Sequence, residues 1–66
     1  MEYAYRLEMF IASNKVFVKE SDNAPFVPRK SDIVVIDGQK YSVVDVLIEY
    51  SLESINIAVH LQTKRW

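Results

Sequence analysis

His60 is the only histidine in this 66-residue sequence, and six serines accompany it: Ser13, Ser21, Ser31, Ser42, Ser51 and Ser54. Acyl transfer by a serine needs a base within hydrogen-bond reach. His60 lies in an alternating run opposite Ile55, Ile57, Val59 and Leu61, which places it on a solvated face beside Asn56 and Gln62. The serines fall mostly in turn-like stretches, where hydroxyls satisfy backbone groups. No nucleophile–base–orienter constellation is visible, so the sequence points away from an enzyme. Two carboxylate pairs, Asp32 with Asp37 and Asp45 with Glu49, could do acid–base work if burial shifted one pKa. A domain this small has little room for a water-excluding pocket. The expected roles are turn capping for the first pair, and solvation or protection of a strand for the second.

Metal and phosphate chemistry find no matching pattern. Cysteine is absent and there is one histidine, so neither a disulfide nor a zinc site is expected. Ser21-Asp22-Asn23 lacks the spaced acidic ligands and the glycine of a calcium loop. The single glycine, Gly38, is part of a hairpin signal and not of a phosphate cradle. The expectation is a protein without cofactor or metal.

Binding chemistry has more material. Arg29-Lys30 and Lys64-Arg65 are basic pairs, and Trp66, Phe10 and Phe17 are aromatics that could stack on bases. Against this, the net charge is −1 with nine acids dispersed along the chain, whereas phosphate contacts need a basic surface. Nucleic-acid binding through Arg29, Lys30, Lys64, Arg65 and Trp66 is therefore the alternative reading. The leading one is protein contact. Phe10 and Phe17 fall on the polar faces of the first two strand candidates, where pairing of those strands would bring the rings together. Val34 and Ile36 would extend the patch, and exposed aromatics near an arginine mark interfaces.

These residues must be positioned by strands. Tyr3 to Ala12 alternates, with Tyr3, Tyr5, Leu7, Met9 and Ile11 toward the core. Ser13-Asn14-Lys15 reads as a turn and Val16–Glu20 as a short strand. Residues 21–32 contain Pro25 and Pro28 and read as a loop pinned to the core by Phe26 and Val27. Ile33–Ile36, the Asp37-Gly38 turn and Lys40–Tyr50 form a hairpin, since Asp-Gly suits a tight turn with positive φ. The apolar phase changes from Tyr41 and Val43 to Val44, Val46 and Ile48, so a β-bulge is expected near Val43 to Asp45. After a turn at 51–54, Ile55–Leu61 is the clearest half-buried strand.

Five strands in one domain, residues 1–66, predict an all-β small open barrel, SH3-like first and OB-like second. Val27-Pro28-Arg29-Lys30-Ser31-Asp32, followed by Ile33–Ile36, Asp37-Gly38 and Tyr41-Ser42-Val43, resembles a pattern of small SH3-like β-barrel proteins of bacteria and their phages. That pattern has proline, a basic pair, Gly-Asp, a strand, a turn glycine and Tyr-x-Val. Ser31 stands where it has glycine. The resemblance covers about a quarter of the chain and implies a barrel hairpin. By analogy it implies a phage or mobile-element component, or an inhibitor of a host protein. Half the residues are hydrophobic in a chain that can bury only about 60% of its unfolded surface, so a homo-oligomer is expected. No apolar run approaches membrane-spanning length and no secretory signal is visible, so a cytoplasmic location is the default.

Overall fold

The computed structural model describes residues 4–63. Strands β1 (Tyr5–Ile11), β2 (Asn14–Ser21), β3 (Ile33–Ile36), β4 (Gln39–Tyr50) and β5 (Ile55–Thr63) form one sheet in the order β2-β1-β5-β4-β3. The sheet curls into an open half-barrel, and no helix occurs among the described residues. The all-β barrel-like architecture expected from the alternation is therefore what the chain adopts. Two antiparallel hairpins, β1–β2 and β3–β4, are joined through β5, which pairs antiparallel with β4 and parallel with β1.

Register explains the core. Leu7 pairs with Ile57, Met9 with Val59, and Val43 with Leu61, and these six side chains are the buried cluster. Val59 is fully buried. The β4 bulge is where the phase change placed it: Val43 pairs with Leu61 and Asp45 with His60, leaving Val44 as the extra residue. The bulge keeps Val43 and Val46 both facing inward and leaves Val44 exposed. A long strand bent this way can follow the curl of a small barrel.

The turns depart from the sequence reading in one case. The β1–β2 turn is Ala12-Ser13, with φ of 48° and 71°, and Asn14 already pairs with Ile11. Asn14 marked a turn by its tolerance of positive φ, yet the two residues before it take that conformation. At the second hairpin Asp37 and Gly38 have φ of 51° and 80°, as Asp-Gly predicts. Ahead of β3, Asp32 caps a turn as expected. Its carboxylate accepts the Arg29 N–H at 2.8 Å, and its own N–H donates to the Arg29 carbonyl at 3.0 Å. Ser31, at the position where glycine was expected, has φ of 78°.

Residues 22–32 carry the chain from one sheet edge to the other. Val27 packs on the core and Pro28 is buried, but Phe26 is 87% exposed. Phe26 therefore does not pin the loop; its neighbours do.

Candidate functional site

The two edge strands, β2 and β3, approach each other without pairing. No Cα of β2 lies within 8 Å of one of β3, so the half-barrel has an open seam. A cavity of about 330 Å³ sits in that seam between Phe17 and Val16 of β2 and Val34 and Ile36 of β3, floored by Met9. A second, of about 440 Å³, adjoins it through the shared Met9 and Val34 and reaches Phe26 and Pro28. Together they make one groove along the seam, mostly apolar but also lined by Asp32 and Asp37.

Three of the four residues expected at a protein interface line this groove: Phe17, Val34 and Ile36. Phe10 does not. The cause is a bulge in β2 that the sequence reading lacked: Met9 pairs with Phe17 but Phe10 pairs with Lys15, so Val16 is the extra residue. Phe17 shares the inward face with Met9, and Phe10 lies on the outer face. The expected joint patch of the two rings does not form.

On β3 the exposure is the reverse of that expected. Val34 and Ile36 pair with Tyr41 and Gln39 on the inward face and are half-buried against the core. Ile33 and Val35 are the exposed pair, Val35 at 58%. Their alternation carried the signal, but four apolar residues in a row do not say which phase faces in.

The outer face carries the polar groups. His60 is half-buried there, its ring stacked on Phe10 with centroids 5.3 Å apart and planes 18° from parallel. It is therefore less solvated than its place beside Asn56 and Gln62 implied. Asp45 is its register partner on β4, and Glu49 faces Asn56. The Ser21 hydroxyl accepts the Asn23 N–H at 3.0 Å and the Ser51 hydroxyl donates to the Ser54 carbonyl at 2.9 Å. These serines complete turns, as their setting predicted. Glu8, on the same face, has its titration displaced. A hydrogen bond from Lys15, 2.7 Å away, holds it below the usual carboxylate range against an opposing effect of burial. Arg6 contributes to the same network and also reaches Glu20.

Arg29 and Lys30 are exposed on the turn before β3, where they border a cleft of about 460 Å³ shared with Asp45, Val46 and Ile48. Neither Phe10 nor Phe17 borders that cleft. Lys64, Arg65 and Trp66 lie outside the described residues. Among the described residues no three His, Asp or Glu side chains converge as metal ligands, and no helix is long and apolar enough to cross a membrane. No family model, curated protein or solved structure matches this chain.

Proposed function

We propose that this chain is a non-enzymatic protein-interaction module that binds another polypeptide along the open seam. The observation that supports this is the combination of two strand edges left unpaired among the described residues with a mostly apolar groove between them. An edge strand offers a row of backbone N–H and C=O groups to an incoming extended segment, and alternate side chains of that segment need apolar pockets. The seam supplies both: backbone from β2 and β3, and pockets lined by Met9, Phe17, Val34 and Ile36. Backbone pairing would provide affinity, and the groove would select which side chains enter.

The test is to select extended peptides from a random library against the chain and to titrate the winners against Phe17→Ser. Phe17 is 39% exposed, so its loss leaves the core cluster intact. The expected result is loss of binding with an unchanged circular dichroism spectrum. Equal binding by Phe17→Ser refutes the seam as the site.

A further inference from the structure

We propose that the polypeptide bound at the seam is a second copy of this chain, paired antiparallel through β2 about a two-fold axis at Val18. This rests on the seam being an interaction surface and names its occupant. Two independent observations lead to it.

The first is exposure. Val16, Phe17 and Val18, three consecutive apolar residues on this edge strand, are each about two-fifths exposed.

The second is the charge pattern along β2. Two copies of one strand related by a two-fold axis normal to the sheet keep their faces, so only registers that match inward with inward residues are allowed. Counted past the bulge at Val16, centring on Phe17 sets Lys15 against Val18 of the second copy and forms no ion pair, and centring on Lys19 sets lysine against lysine. Like charges directly opposite oppose pairing. Centring on Val18 sets Val18 against itself and Phe17 against Lys19, whose alkyl stem covers the ring. Beyond the bulge at Val16, Lys15 lies on the outer face with Phe10, as Glu20 does with Arg6. In this register Lys15 therefore meets Glu20 of the second copy, and Asn14 meets Ser21. The charges that would repel an unrelated strand from this edge complement a second copy of it.

The absence of cysteine from the sequence makes the register directly testable. In Val18→Cys the two thiols face each other across the axis, at the ~4.5–5.5 Å Cα separation of directly opposed residues, within disulfide range. In Glu20→Cys they stand about 13 Å apart along the strand and cannot bridge. Both positions are exposed enough for the variants to fold. The expected result is a concentration-dependent dimer of the unmodified chain by light scattering, with disulfide dimer in a glutathione redox buffer from Val18→Cys and not from Glu20→Cys. A monomer at millimolar concentration overturns the self-pairing, as does cross-linking of Glu20→Cys at the rate of Val18→Cys. The peptide titration with Phe17→Ser is a separate readout. A monomeric chain whose peptide binding is lost in Phe17→Ser removes only the second copy and keeps the seam.

Discussion

Replacing Ser31 with glycine should make this protein more stable, although the change removes atoms. Ser31 is held at φ of 78°. It cannot relax, because its N–H donates to the Val43 carbonyl at 2.8 Å and the next residue's carbonyl accepts the Val43 N–H at 2.9 Å. These two bonds tie the turn to Val43, the buried residue next to the β4 bulge. An L-residue in the left-handed region costs about 1–2 kcal/mol. Glycine removes that cost but adds about 0.5–1 kcal/mol of unfolded-state entropy. The net expectation is a gain of about 0.5–1 kcal/mol, or roughly 3–6 °C in Tm for a domain of this size. Thermal and urea melts followed by circular dichroism measure it, with Ser31→Ala as the control. Alanine keeps the Cβ that makes the conformation costly, so it should leave the midpoint nearly unchanged. If glycine leaves Tm unchanged or lowers it, or if alanine raises it equally, backbone strain at Ser31 is not what limits the turn.

Gly38→Ala should have the opposite sign: a Cβ there meets nothing within 4 Å, so the loss of about 1 kcal/mol comes from φ of 80° alone and appears as a lower urea midpoint. Val59→Ala, at the fully buried centre of a six-residue core, should cost about 2–3 kcal/mol in the same assay, a large share of the ~3–10 kcal/mol available to a chain this size. Lys15→Met should remove a pH dependence. Glu8 has its pKa lowered in the fold, so its pairing stabilises above the unfolded value of 4.5 and is lost as pH falls through the lower folded value. The unmodified chain should therefore lose up to about 1 kcal/mol across that acidic window, and the variant less, as read from urea midpoints between pH 5 and pH 2.5.

Strand existence was legible because alternation of apolar and polar residues is a local record of which face is buried. Ile55–Thr63 and Tyr5–Ile11 carry that record cleanly, and even the β4 bulge showed as a break of phase at Val43 and Val44. The β2 bulge left no such trace. Val16, Phe17 and Val18 are three apolar residues in a row, all exposed, so no phase exists to be broken. That one missing residue of register moved Phe10 and Phe17 to opposite faces and dissolved the expected aromatic patch. Ile33–Ile36 failed for the same reason, since uniform apolarity hides which pair faces in. The groove itself lies between strands at opposite edges of the sheet. Its lining is set by the curl of five strands, which no local pattern encodes.

The parallel pairing of β1 with β5 has a kinetic consequence. Tyr5 meets Ile55 and Ile11 meets Leu61, each pair separated by fifty residues in sequence. The two outer hairpins can close locally within microseconds, but neither buries the cluster around Val59 until β1 finds β5. The β4–β5 hairpin brings Val43 to Leu61 locally, but closing the long loop that adds Leu7 and Met9 to the core should place the rate-limiting barrier at that encounter and slow folding to milliseconds or longer. Until then β1 offers an open apolar edge that a neighbouring chain can reach first. Refolding yield should therefore fall as protein concentration rises, through exchange of the β1–β2 hairpin between molecules.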